Sequence, residues 1–386
     1  MPGSGISMSD STNAKKKVLI APLNWGLGHA SRMIPVIRRL LAANAEVIIA
    51  ADGRPMGLLK QEFPDLKKIR LPGYDITYQT TGSFAASIFR QVPRIISSYF
   101  SERRAIEKII REEGIDTVIS DNRFGLHSKS AVCIFVTHQL AIRMPPGLRW
   151  FEPLLYKLNR SIIEQYDACW IPDFAGEMNL SGELTTKYAL PSNAKFIGPL
   201  TRMKVTGVKR KYDVLFLLSG PEPQRSVLEE MLRSQSAGLP LKMLMVRGVI
   251  ESNEVRRLSQ DFEVIDYMTS AQLNEAILSA GLVVSRPGYS TVMDLAALGA
   301  KAFFIPTPGQ TEQEYLAQYL SKKGIAFSQQ QQDLNLASSL KTAESYAGFS
   351  AYTMSAGLDE AINSILDHAG LTNHYAALST AADLTA

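Results

Sequence analysis

Cysteine is scarce in this chain. Cys133 and Cys169 are the only two among 386 residues, and their wide spacing fits neither a disulfide framework nor a zinc site. A reducing, cytoplasmic setting is the expectation that follows. Long apolar runs are also missing: no stretch approaches the roughly 18 residues of a membrane span. The opening MPGSGISMSDSTNA lacks the apolar centre of a secretory signal and reads as a flexible leader. Charge of one sign is not in excess. A net charge of +4 is too small to argue for a nucleic-acid partner, and the basic triplets Lys15–Lys17 and Lys209–Lys211 read as solvated strand boundaries. What remains, 46% hydrophobic and 20% charged residues, is the composition of a globular protein. Its length favours about two domains over one core.

Short apolar strands alternate with helical segments. The first series is Lys17–Leu23, Glu46–Ala51, Thr117–Asp121, Cys133–His138 and Ala168–Pro172. The second is Asp213–Ser219, Lys242–Val246, Val264–Tyr267, Leu282–Ser285 and Ala302–Pro306. Many are continuous apolar runs, as strands covered by helices on both faces must be. The alternation predicts α/β domains with parallel sheets. A polar, basic stretch near Thr201–Tyr212 separates the series and reads as a linker. The expected division is 14–203, 204–345 and a terminal helix within 346–370, with Met354, Leu358, Ile362 and Ile365 on the face that packs back on the first domain. Gln329–Gln332 reads as a surface loop. Ligands in such folds bind beyond the carboxyl ends of the strands, so the loops there hold the candidates.

Asn24-Trp-Gly26-Leu-Gly28-His29-Ala-Ser-Arg32 follows the first strand. Its glycines permit a tight turn and close approach to a ligand. His29 at the helix start suits a general base, since imidazole titrates near neutrality; alternatively it only hydrogen-bonds the turn. The segment lacks the third glycine of a dinucleotide fingerprint, which argues against a Rossmann dehydrogenase. Asp121-Asn122-Arg123 ends another strand of the same sheet. Asp121 is either the acid that orients His29 or a turn-forming Asx residue. Asn24, Arg32, Asn122 and His138 are further candidates for the cleft.

In the second half, Ser285-Arg286-Pro-Gly288-Tyr-Ser290-Thr291-Val-Met-Asp294 reads as strand end, glycine turn and helix start. Amides in such a turn favour bound anions. Asp294, one turn in, either reaches a sugar hydroxyl or closes a capping box with Thr291. Ser219-Gly220-Pro221 supplies another phosphate-sized turn. Gln310–Glu314 clusters amides and carboxylates suited to sugar hydroxyls, or is an ordinary acidic helix start. Two segments, Arg143–Lys157 and Phe84–Arg111, mix cations with large apolar residues, either as a membrane-facing surface or as core plus solvated face.

These motifs together resemble the GT-B glycosyltransferases, and most nearly the MurG type that adds N-acetylglucosamine to a lipid-linked peptidoglycan precursor. Gly26-x-Gly28-His29 resembles that family's first glycine loop, Ser285–Gly299 its donor-binding strand, turn and helix, and Gln313-Glu314-Tyr315 its sugar-reading segment. The likeness covers most of Val18–Ser328 and is strongest in the second half. It implies two Rossmann-like domains facing a cleft, with the acceptor held by the first and a nucleotide sugar by the second. It implies that Asp294 binds the ribose, that Ser290 and Thr291 with the turn around Arg286 and Gly288 hold the diphosphate, and that Gln313 and Glu314 contact the donor sugar. Ile265 to Met268 would lie along the base, and His29 would be a general base supported by Asp121. Asp294 stands where the MurG type typically has glutamate, and Gln313-Glu314 replaces its paired glutamines.

The expected function is an inverting transfer of N-acetylglucosamine or a related sugar from a UDP-sugar; no DxD-like acidic pair sits in a suitable loop, which agrees with metal independence, and no cofactor is expected. The acceptor is left open between a lipid-linked and a polysaccharide substrate, and the location is cytoplasmic, with peripheral contact at the inner face of the membrane as an extension. A nucleotide-sugar hydrolase on the same fold and a non-catalytic nucleotide-sugar binder remain as alternatives.

Overall fold

The computed structural model describes residues 15–73, 84–249, 252, 254–352 and 357–367; for residues 84–96 and 146 only the backbone is described. The first sheet contains β1 (Lys17–Pro22), β2 (Glu46–Ala51), β3 (Lys67–Arg70), β4 (Thr117–Asp121), β5 (Val132–Val136), β6 (Ala168–Ile171) and β7 (Ala194–Phe196). Their order is β3-β2-β1-β4-β5-β6-β7 and every pairing is parallel. The second contains β8 (Tyr212–Leu217), β9 (Met243–Val246), β10 (Val255–Ser259), β11 (Phe262–Ile265), β12 (Ala280–Ser285), β13 (Ala302–Phe304) and β14 (Phe327–Ser328). Its order is β10-β11-β9-β8-β12-β13-β14, parallel except for the edge pair β10–β11.

The helices are α1 (Gly28–Ala42), α2 (Gly53–Glu62), α3 (Phe84–Glu113), α4 (Glu152–Ile163), α5 (Glu183–Thr186), α6 (Gln224–Ser236), α7 (Ser270–Leu278), α8 (Tyr289–Leu298), α9 (Thr311–Lys322), α10 (Leu336–Ala343) and α11 (Gly357–Leu366). The two parallel-sheet α/β domains expected from the alternation are present, and all ten anticipated strands form. The four strands not anticipated, β3, β7, β10 and β14, are short and lie at or next to sheet edges. None carries a fully buried apolar run; β10, Val-Arg-Arg-Leu-Ser, is exposed throughout.

Strand alternation sorts the core into layers. Leu19, Ile48, Val118 and Phe135 pack on the outer side of the first sheet. Phe216, Val284 and Phe303 do so on the second. The opposite faces belong to one continuous cluster that joins Val18 and Ile20 of β1, Met33 and Ile37 of α1, Val292 and Leu295 of α8, and Ile362 and Ile365 of α11. The terminal helix is shorter than expected: residues 346–352 form turns after α10, and Met354 lies outside the described residues. Arg39 Nε meets Asp359 Oδ1 of α11 at 2.5 Å, which ties that helix to the first domain.

In each sheet the chain reverses its direction of winding at the first strand. β1 lies between β2 and β4, and β8 lies between β9 and β12. Loops leaving such neighbours diverge and open a crevice at their carboxyl ends. Asp121, last in β4, pairs in register with Pro22 of β1, and Leu23 N donates to its carbonyl at 3.0 Å. One loop below, Arg123 is fully buried and Nε donates to buried Glu102 Oε1 at 2.8 Å. Its other nitrogens donate to Leu71 O at 3.1 Å and Pro72 O at 2.7 Å. Neutralising one member of such a pair strands a buried charge. Glu102→Gln is expected to cost about 3 kcal/mol, measured as a lower urea midpoint for unfolding.

Candidate active site between the domains

α1 begins at Gly28 with no side-chain cap, and α8 begins at Tyr289 with none either. The first N–H groups of a helix have no partner inside it. The two amino ends meet: Ser290 Oγ donates to Gly28 O at 2.9 Å. A Cβ on residue 28 would stand 2.9 Å from that same Oγ, so a side chain there would displace the Ser290 hydroxyl. Gly26, at φ 73°, makes the left-handed turn that leads into α1.

His29, in the first turn of α1, is buried. Its Nδ1 lies 3.1 Å from Asp121 Oδ2. Arg32, one turn on, donates from Nε to the same oxygen at 2.8 Å and from Nη2 to Oδ1. Burial works against the charge on Asp121, yet Arg32 and His29 outweigh it and hold the carboxyl down at about 2. For His29, burial dominates and lowers its affinity for a proton despite Asp121 beside it. A neutral imidazole with Nδ1–H on a carboxylate leaves Nε2 free as a proton acceptor. His138, after β5, completes the group: Arg32 Nη1 donates to its Nδ1 at 3.0 Å. Asn122, at φ 55°, turns the chain sharply after Asp121, and Asn24 packs over Gly53 and Gly73.

On the opposite side, several expected positions differ. Ser290 and Thr291 are not caps; they lie within the first turn of α8, whose N-cap is Gly288. Asp294 therefore sits mid-helix and does not close a capping box with Thr291. Its Oδ1 accepts from Thr201 Oγ1 of the linker at 2.5 Å. Burial raises the Asp294 carboxyl to about 6, with Arg202 and Thr201 opposing. Arg286, expected in the donor turn, is buried beneath it. It donates to the carbonyls of Ile305, Pro306 and Gln224 at 2.9, 2.8 and 3.2 Å and to Gln331 Oε1 at 2.5 Å. Burial lowers its pKa to about 10. It is a clamp under the site rather than a contact in it. Gln331 is buried for the same reason, while Gln329 and Gln330 are half-buried and Gln332 is exposed, so the glutamine run is a surface loop only in part.

Gln313 and Glu314 brace their own loop. Gln313 Oε1 accepts from Thr307 N at 2.9 Å, and Glu314 Oε1 from Gly309 N at 2.8 Å. Their neighbour Glu312 crosses the cleft instead, and its Oε1 accepts from His138 Nε2 at 2.8 Å. Burial pushes the Glu312 carboxyl up, but His138, His29 and Arg32 outweigh it and hold it below its usual value. Ile265 and Met268 are half-buried at and just beyond the end of β11, with Ser219 exposed and Gly220, at φ 109°, in the loop after β8.

Residues 222–368 match the glycosyltransferase family 28 C-terminal domain. An uncharacterized glycosyltransferase of Methanosarcina mazei is 22% identical over 330 residues, covering 80% of this chain and 84% of that protein. The UDP-N-acetylglucosamine--N-acetylmuramyl-(pentapeptide) pyrophosphoryl-undecaprenol N-acetylglucosamine transferase of Thermodesulfovibrio yellowstonii is 25% identical over 327 residues, covering 80% and 83%. The crystal structure of Acinetobacter baumannii MurG superposes with a TM-score of 0.53 at 13% identity, covering 91% of this chain and 99% of that one. The protein is a glycosyltransferase of the GT-B fold.

Three residues of the glycosyltransferase cleft were not singled out from the sequence. Glu312 is one, and a helical wheel finds it: Glu312, Tyr315 and Tyr319 share a face at spacings of three and seven. Tyr315 Oη accepts from Glu183 N at 2.6 Å, and Tyr319 Oη donates to Asn179 O at 2.9 Å, so this whole face of α9 meets the first domain. Tyr289 stacks on His138, and Thr201 holds Asp294; neither carries a local sequence signal. Asp294 gives a pH prediction. Because its folded pKa is raised above 3.8 to about 6, the stability it contributes is complete below the unfolded value and is lost as pH rises through the folded one. Asp294→Asn should raise the thermal midpoint at about pH 7 and leave it near the wild-type value at about pH 4.

Proposed function

We propose that the enzyme is an inverting glycosyltransferase that moves a sugar from a UDP-sugar, with N-acetylglucosamine the leading choice, and that His29 is its general base. The observation that carries this reading is the His29–Asp121 pair at 3.1 Å, set against the uncapped amino end of α8. In this mechanism Nε2 of His29 takes the acceptor's hydroxyl proton as the oxygen attacks the anomeric carbon. The bond to the β-phosphate oxygen breaks in the same step, on the opposite face. Asp121 stabilises the imidazolium that forms. Amides in the first turn of α8 stabilise the departing UDP, a preorganised electrostatic role that needs no divalent ion. Asp294 would exchange Thr201 for a ribose hydroxyl, and Ile265 to Met268 would line the uracil. Gln313 and Glu314 would shape the sugar pocket through the Thr307–Gln310 loop they brace.

His29→Ala should lower transfer by about 10²–10⁴-fold while thermal stabilisation by UDP stays near the wild-type value. Undiminished turnover would sink the base assignment. Free sugar released at an enzymatic rate without acceptor would instead favour a hydrolase, and binding without any turnover a non-catalytic sugar-nucleotide receptor.

A lipid-linked acceptor is part of the proposal. Support comes from the activity of the Thermodesulfovibrio relative and from the surface of α4 and the turn Pro146–Phe151 that leads into it. Trp150, Leu154 and Leu158, spaced by four, are exposed at 77%, 48% and 54%. Arg149 and Lys157 are exposed beside them. Among the described residues no helix is long and apolar enough to cross a membrane, so contact would be peripheral, by apolar insertion flanked by cations. The Phe84–Ile96 part of the second apolar-basic segment lies outside the described side chains. Trp150→Ser with Leu154→Ser should reduce co-sedimentation with anionic phospholipid vesicles several-fold; equal binding would remove α4 from the proposal.

A further inference from the structure

One nitrogen in this site has two rival partners. His29 Nδ1 lies 3.1 Å from Asp121 Oδ2 and 2.9 Å from Arg32 Nη2. The carboxylate can only accept, so it draws the imidazole proton to Nδ1 and leaves Nε2 as a lone pair. The guanidinium can only donate, so it favours a lone pair on Nδ1 and sends the proton to Nε2. Only the first tautomer is a base toward the cleft. The balance depends on where Arg32 is held.

Arg32 is held from both sides. Nε and Nη2 donate to Asp121, and Nη1 donates to His138 Nδ1 at 3.0 Å. For His138 no carboxylate competes at Nδ1 while Nε2 faces one, so the ring accepts from Arg32 at Nδ1 and carries its proton on Nε2. That proton goes to Glu312 Oε1 at 2.8 Å. The His138 ring is fixed in plane by Tyr289, with centroids 4.1 Å apart and planes 2° from parallel. Tyr289 in turn donates from its hydroxyl to Pro172 O at 3.0 Å. His29, Arg32, Asp121 and His138 belong to the first domain, whereas Glu312 and Tyr289 belong to the second.

We propose that His138 and Glu312 are positioning residues through which the second domain holds Arg32 on Asp121 and so keeps the proton of His29 on Nδ1. The inference rests on the reading of His29 as the base. It makes the base conditional: when α9 seats on the first domain, Glu312 completes the chain, and when the domains part, His138 loses its acceptor. The charged and titratable groups facing His29 are Asp121 from β4, Arg32 from its own helix and His138 after β5, with Glu312 of α9 next beyond them. Removing the Glu312 charge leaves the Arg32 cation less compensated and lowers the affinity of His29 for a proton.

The test is ¹⁵N imidazole NMR on the full chain with saturating UDP; five histidines make the spectrum assignable. The wild type should show a protonated Nδ1 and a bare Nε2 on neutral His29. Glu312→Gln, and His138→Phe, which keeps the ring on Tyr289 but loses both hydrogen bonds, should each give mixed tautomers. Glu312→Gln should also lower the His29 titration midpoint by about one pH unit, and the double variant should shift the tautomer no further than either alone. A wild-type His29 protonated on Nε2, or two variants with the wild-type tautomer and midpoint, would overturn the proposal. The readout needs no turnover, so failure of the base assignment shows separately, as undiminished transfer by His29→Ala.

Discussion

The carboxylate of Asp121 is the fixed point of this molecule's cleft. A buried carboxylate carries a heavy desolvation penalty and stays ionised only among cations and donors. Here Arg32 grips both oxygens and His29 approaches one of them. The strand order supplies the position, because β4 ends beside β1 at the point where the winding reverses. α1 leaves from β1 and brings His29 and Arg32 back over that strand end, one helical turn apart. Fold and charge thus specify the same place independently, and the ion cluster is affordable only there.

Much of this architecture was legible in the chain. The ten anticipated strands, many of them continuous apolar runs, follow from burial on both sheet faces. The four others were silent because edge strands such as β10 bury almost nothing. His29 and Asp121 were legible as a pair because each ends or follows a strand of one sheet. The second half was less transparent. Ser290-Thr291-x-x-Asp294 satisfies the local grammar of a cap, but the helix starts earlier, at Tyr289, since the turn is already completed by Pro287 and Gly288. Asp294 then faces the linker, and Thr201 becomes its partner across 93 positions of sequence. No local pattern encodes that contact.

Arg286, Gln313 and Glu314 illustrate a related ambiguity. Residue type and strand-end placement identified side chains capable of ligand contact, and the fold spends them on loop carbonyls and amides. The decision between the two uses lies in side-chain direction, which for α9 is set by the face that docks. That face carries Glu312, Tyr315 and Tyr319, so the residues between them are turned toward their own loop.

α9 also bears on redesign. It follows the loop proposed to shape the sugar pocket, and it is anchored to the other half of the molecule through Thr311 Oγ1 on Arg143 O, Glu312 on His138, Tyr315 on Glu183 N, Tyr319 on Asn179 O and, just past its end, Lys323 on Glu177 O. Grafting this helix from a relative with another sugar preference therefore transplants half of a docking seam. A chimaera that exchanges α9 alone inherits mismatched partners at residues 138, 143 and 179–183, so the unit of exchange is the helix together with those loops.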